Sequence, residues 1–224
     1  MAAKSTKRPA EASSIGAETL HKSSSVAVPS DDYNIPIDPS EDHLWFVAML
    51  SHQKYTVDCC RYLSTAVPGQ MCQCYVPSKE ELHVYPNRTK RKVRKYIIPR
   101  MVFVTGLDEE QAYHLTSVCP YVDYFLPDRA RERAHGHVAL ASIRQRDMVT
   151  LQRAIDGVVS ADDISFTPAD LSFDEQIEVV SGDLRGMEGG YYRSEGNDYL
   201  VFMLGKLGNI KVRVSIADCT LKKV

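Results

Sequence analysis

The chain has 224 residues, 44% of them apolar and 25% charged, a make-up ordinary for one or two globular domains. Its formal net charge of -2 gives no overall pull toward nucleic acid, so any such contact needs a local cluster of cations. No run of about 18 apolar residues is present to span a bilayer, and residues 1–30 lack the apolar core of a secretory leader.

Six cysteines, Cys59, Cys60, Cys72, Cys74, Cys119 and Cys219, fall as C-C, C-x-C and two singles. None has the C-x-x-C spacing of a zinc knuckle or redox motif, and reduced thiols in a cytoplasmic protein are expected. Residues 1–42 are rich in Ala, Ser, Lys and Pro and hold too little apolar surface to offset their ordering entropy. A disordered tail is expected there, with order beginning near His43.

Leu44 to Leu50 is a continuous apolar run of strand length, suited to burial on both faces. A helix follows from Gln53 to about Thr65, ended by Pro68-Gly69. Cys72 to Leu82 reads as a second strand. Pro86-Asn87 marks a turn, and a basic stretch leads into Tyr96 to Val104, where Val102 to Val104 suit a central strand and Pro99 an edge or bend. Asp108-Glu109-Glu110 opens a short helix with acids at its positive end, closed by Pro120. Val122 to Leu126 is another strand and Asp128 to His137 a loop. Ser142 is placed as the cap of a helix to about Ile155, burying Met148, Leu151 and Ile155. This order gives an α+β plan with an antiparallel sheet over 43–156.

Residues 157–172 lose periodicity and read as a linker. From 173 to 224 the signals are β: Ile177 to Val180, Gly189 to Ser194, Tyr199 to Leu204, Ile210 to Val214 and a short strand near Thr220, punctuated by glycines. Five short strands suggest a small closed barrel.

Val179-Val180-Ser181-Gly182-Asp183-Leu184-Arg185-Gly186-Met187-Glu188-Gly189 resembles the KOW motif, an apolar pair before G-x-x-x-G-x-x-G. Gly182, Gly186 and Gly189 would serve a tight turn, where φ is positive or a Cβ would clash. Trp45-Phe46-Val47 matches the opening W-Y-V strand of the NusG amino-terminal domain. Tyr75-Val76-Pro77-Ser78-Lys79-Glu80-Glu81 resembles its V-P-T-x-E-E segment, and Ile98-Pro99-Arg100-Met101-Val102-Phe103-Val104 its F-P-G-Y-V-F-V signature. These segments keep the family's order, so residues 43–224 resemble a NusG-type transcription factor: a NusG amino-terminal (NGN) domain linked to an SH3-like KOW β-barrel. Arg100 stands where the family has glycine, Met101 where it has tyrosine, and Ile98 where it has phenylalanine. Those departures resemble specialised paralogs of the RfaH and UpxY kind, which serve selected long operons such as surface polysaccharide loci.

The resemblance implies an antiterminating elongation factor that docks Trp45, Phe46, Ile98, Pro99 and Met101 on the clamp helices of the largest RNA polymerase subunit. Aromatic residues and a soft methionine suit such a helical pair, although strand alternation sends half of these side chains inward. Arg88, Lys90, Arg91, Lys92, Arg94 and Lys95 form six cations with no acid between them. They either meet phosphates of upstream or non-template DNA or are a solvated hairpin tip; Arg100 is a further candidate for nucleic-acid contact. Met203 and Leu204 match the KOW tip that binds a ribosomal protein or termination factor Rho. No refolding of this region into helices is expected, given its glycines and β-branched residues.

As an enzyme the chain offers little. His135-x-His137 lacks a third metal ligand, Asp162-Asp163 lacks a suitably placed second acid, and Gly186 to Gly190 lacks the Gly-Lys-Ser/Thr end of a phosphate loop. No cofactor and no metal are expected, and a monomer is. The alternatives are a general NusG-type factor or a ribosome- or RNA-associated KOW protein.

Overall fold

The computed structural model describes residues 34–66, 72–128, 138–158, 160–168, 175–204, 210–217 and 219–224. The tail to residue 33, Pro68-Gly69, and His135 with His137 lie outside the described residues. Residues 31–224 form one compact unit.

The first sheet is built on β1 (Leu44–Leu50), the apolar run. It pairs antiparallel with β5 (Met101–Thr105) on one side, and with β6 (Val122–Phe125) and β7 (Ser142–Arg144) along successive parts of the other. The strand β2 (Gln73–Tyr75) flanks β5. Both faces are covered, which is why β1 needs no polar alternation. Phe46, Ala48, Leu50, Val102 and Val104 share a core with Cys59, Cys60 and Leu63 of α1 (Thr56–Ala66) and with Ala112 and Leu115 of α2 (Glu109–Val118). Trp45, Val47 and Phe103 share the opposite core with Met148, Leu151, Ala154 and Ile155 of α3 (Gln145–Gly157).

Local chemistry sets the helix ends. Asp108 accepts from the backbone N–H of Gln111 while the Gln111 side chain accepts from Asp108 N, a reciprocal cap that starts α2. Ser142 does not cap α3. It lies in β7 opposite Phe46, and the helix starts after Arg144 with no side-chain cap. Ordered contacts also begin earlier than His43: Ile37 is buried, and the Asn34 side chain bonds both backbone groups of Val76.

The expected strand from Cys72 to Leu82 is broken at Val76-Pro77. Its second half is β3 (Ser78–Val84), which leaves the main sheet and pairs only with β4 (Lys90–Tyr96). The basic stretch is therefore a strand, part of a two-stranded ribbon.

The stretch read as a linker carries a 3-10 turn at Ala161–Asp163 and a strand, β8 (Ile164–Pro168). With β9 (Glu175–Val179), β10 (Glu188–Ser194), β11 (Asn197–Met203), β12 (Ile210–Ser215) and β13 (Leu221–Lys223), β8 makes a second, six-stranded antiparallel sheet. Its order is β13-β9-β10-β11-β12-β8, and among the described residues no pairing joins β13 to β8 to close a barrel. Its apolar face (Ile177, Val179, Leu200, Phe202, Val212, Val214) runs into the α3 core. The join is close: a Cβ on Gly157 would sit 2.6 Å from Leu184 Cδ2, and the Arg153 guanidinium donates to the Arg185 carbonyl.

Candidate functional site

Cover on both faces of the first sheet decides which expected docking residues reach the surface. Trp45 is fully buried, and its indole N–H donates to Gln145 Oε1 at 2.5 Å. Gln145 in turn donates to the Asp38 carbonyl at 2.7 Å, so the pair ties β1, α3 and the entering chain together. Phe46 and Met101 are also buried, at 4% and 7% exposure. Ile98 is half-buried and Pro99 exposed. Three of the five expected docking side chains are thus core.

An apolar skin nevertheless survives at one end of this sheet. Register places Met49 directly opposite both Met101 and Tyr124, so the three form a row across β5, β1 and β6. Tyr124 is 43% exposed and Met49 partly exposed. Leu126, whose N–H bonds the Val47 carbonyl, and Ile98 lie half-buried against the same core. Met49, Tyr124 and Leu126 went unremarked in the sequence. The phase of β1 marks Met49, which follows Trp45 and Val47 at steps of two, but only the register supplies Tyr124.

Arg100 explains the turn beside that row. Its φ is +64°, a left-handed conformation that glycine adopts without strain and arginine does not. Four contacts hold it there, the first being the Leu50 N–H, which donates to its carbonyl at 2.7 Å. Its N–H bonds Gln53 Oε1, its Nε donates to the Leu50 carbonyl at 2.6 Å, and its Nη2 lies 3.5 Å from Asp123 Oδ2. The Arg100 guanidinium is engaged within the chain.

The β3–β4 ribbon carries the largest local charge: seven basic residues against two acidic ones between Ser78 and Tyr96. Both acids are neutralised near its base. Glu80 pairs with Lys92 and Arg94, and Glu81 with Lys95. Glu81 also accepts from Ala161 N at 2.7 Å and Ser160 Oγ at 3.0 Å, which holds its carboxyl below the usual range. Lys95 reaches Asp162 at 2.6 Å, and Lys79 donates to the last carbonyls of α3. The ribbon is thereby anchored to α3 and the 3-10 turn. Arg88, Lys90 and Arg91 toward its tip are exposed and have no ion pair among the described residues. Tyr85 stands beside them, edge-on to His83 at 4.7 Å and under Arg91 at 6.0 Å.

In the second sheet, Gly182 and Gly186 both have φ of +79°, and the Gly186 N–H returns to the Val179 carbonyl. Gly189 is needed for space, because a Cβ there would lie 2.5 Å from the Val201 carbonyl oxygen. Met203 is 52% exposed, whereas Leu204 is fully buried. Among the described residues no group of three His, Cys, Asp or Glu side chains is arranged to hold a metal, and no helix is long and apolar enough to cross a membrane.

No family model matches the sequence, and no curated protein matches it. Among solved structures, the one entitled "Domain interaction in Thermotoga maritima NusG" aligns over 82% of this chain and 98% of its own, with 14% identity and a TM-score of 0.44. A likeness of that size does not assign the chain to a family.

Proposed function

We propose that this chain is a NusG-type transcription factor that acts by binding rather than by chemistry. Met49 and Tyr124, flanked by Ile98 and Leu126 and backed by buried Met101, dock on the clamp helices of RNA polymerase, and the basic ribbon meets nearby nucleic-acid phosphates. The observation that carries this reading is the surviving apolar row. Large, adaptable and partly exposed side chains on two adjacent strands, Met49 and Tyr124, backed by buried Met101, make a helix-binding surface of low entropic cost. Holding the clamp on DNA would favour elongation through tighter binding to the closed state, without any bond being made or broken. A general role is better supported than an operon-specific one, because Arg100, the residue that departs most from the family signature, serves the turn. Met203 remains the exposed half of the proposed contact with a ribosomal protein or Rho.

The test is a pull-down of the full chain with purified core RNA polymerase, comparing Tyr124→Asp and Ile98→Asp with the parent. Loss of binding by both variants with unchanged thermal melting is expected. Retention by both excludes this face as the docking surface. Exposed cations beside Tyr85, on a ribbon anchored at its base, favour a second reading, an RNA-associated factor, which predicts RNA binding by the ribbon in the absence of polymerase.

A further inference from the structure

The β3–β4 ribbon carries side chains that a contact with phosphates leaves unexplained. Its strands pair with each other from Ser78 and Tyr96 to Val84 and Lys90, and with no other strand among the described residues. Every residue from Leu82 to Val93 is exposed. Of the eleven large apolar side chains exposed among the described residues, four lie in this stretch: Leu82, Val84, Tyr85 and Val93. Leu82 and Val84 are the most open of them, at 59% and 54%. Single exposed apolar residues need no explanation, but four on one solvated ribbon mark a contact surface.

Cross-strand partners share a face of the ribbon, and successive residues alternate between its faces. The register therefore sets Leu82 and Val84 beside Lys92 and Lys90 on one face, and His83 beside Arg91 on the other. Val93, opposite Glu81, belongs to that second face, and Tyr85 continues it against His83 and Arg91. The apex is Pro86-Asn87-Arg88. It is closed by the Tyr85 N–H donating to the Thr89 carbonyl and the Arg88 N–H donating to the Tyr85 carbonyl, with Arg88 at φ of +62°. Both faces thus combine cations with uncovered apolar groups.

Charge on both faces decides the shape of the partner. A flat anionic surface or one strand of nucleic acid meets one face at a time, whereas a duplex groove sets a phosphate chain on each side. Paired strands lie about 4.8 Å apart, so the ribbon fits a B-form major groove about 12 Å wide and not a minor groove of about 6 Å. From Leu82 to the apex the chain rises roughly 13 Å, more than the groove depth of about 8.5 Å. The floor of that groove presents base edges and thymine methyls, the apolar contact that phosphates do not supply. The major groove of an RNA duplex is too deep and narrow to admit the ribbon.

We propose that the ribbon enters the major groove of duplex DNA, with Arg88, Lys90 and Arg91 on the flanking phosphates and Leu82 and Val84 against the base edges. This rests on the ribbon being the nucleic-acid contact of the proposed function, and goes beyond it in naming the duplex and the groove.

The test follows fluorescence anisotropy of short labelled probes with the full chain. The probes are a DNA duplex, one of its strands, an RNA duplex of the same sequence, and the DNA duplex with its major groove filled by glucosylated 5-hydroxymethylcytosine. The open DNA duplex should bind at least about tenfold tighter than the other three. Leu82→Ser with Val84→Ser should weaken the open duplex about tenfold and leave the single strand unchanged. Both residues are exposed, so neither is needed for the core. Changing Arg88, Lys90 and Arg91 together to glutamine should weaken all four probes. The groove is overturned, with the phosphate contact left standing, if the glutamine variant loses binding while any of the other probes binds the parent as tightly as the open duplex. An open duplex that binds the serine variant like the parent overturns it equally. Both readings of the ribbon fall if the glutamine variant binds every probe like the parent, or if the parent binds none.

Discussion

Replacing Trp45 by phenylalanine separates a core role from a docking role. The indole is fully buried, and its N–H meets Gln145 Oε1, itself in a buried side chain. Phenylalanine leaves that oxygen without its partner, a cost of about 1–3 kcal/mol for an unsatisfied buried acceptor. The smaller ring also leaves a void, adding roughly 1 kcal/mol. A loss of about 2–4 kcal/mol is therefore expected, a large fraction of the stability of an ordinary domain. Trp45→Phe/Gln145→Leu should recover part of it, because removing both partners of a buried bond costs less than stranding one. The assay is urea unfolding followed by far-ultraviolet circular dichroism, since Trp45 is the only tryptophan and its fluorescence is lost with it. Under conditions where Trp45→Phe stays folded, polymerase binding should match the parent. A variant as stable as the parent that no longer binds polymerase would refute the reasoning and return Trp45 to the docking surface.

Arg100→Ala keeps the left-handed strain and loses the side-chain bonds, whereas Arg100→Gly loses the bonds but relieves the strain. Arg100→Gly should therefore be the more stable by about 1 kcal/mol, and the reverse order in urea midpoints would contradict the reading of that turn. Gly189→Ala should destabilise the second sheet by more than about 2 kcal/mol, because its Cβ would press on the Val201 carbonyl at 2.5 Å; an unchanged melting temperature would refute the close approach. Changing Arg88, Lys90 and Arg91 together to glutamine should lower the salt dependence of nucleic-acid binding by about three in log–log slope. An unchanged slope would mean that the ribbon tip makes no phosphate contact.

What the sequence disclosed follows from the range of the forces involved. The apolar run of β1, the acidic opening of α2 at Asp108-Glu109-Glu110 and the Met148–Leu151–Ile155 stripe of α3 are local signals, and each produced its element. Ser142 has the chemistry of a helix cap, but pairing with Phe46, nearly a hundred residues away, claims it for a strand. By contrast, β8 carries a short apolar–polar alternation, Ile164-Ser165-Phe166-Thr167, too brief to stand apart from a linker until β12 supplies its partner bonds. The cations of β4 read as a hairpin tip because their strand state comes from β3, not from apolar periodicity. Of the proposed docking surface, the sequence marks Ile98, whereas the aromatic opening of β1, Trp45 and Phe46, is core because both faces of the sheet are covered, and Tyr124 joins Met49 only through register.

The most direct measurement places a photoreactive phenylalanine analogue at position 124 and irradiates the full chain with core RNA polymerase. Cross-linking to the largest subunit, abolished by Met49→Glu in the same chain, is the expected result. Cross-links confined to this chain itself, with polymerase present in excess, would contradict the proposed docking face.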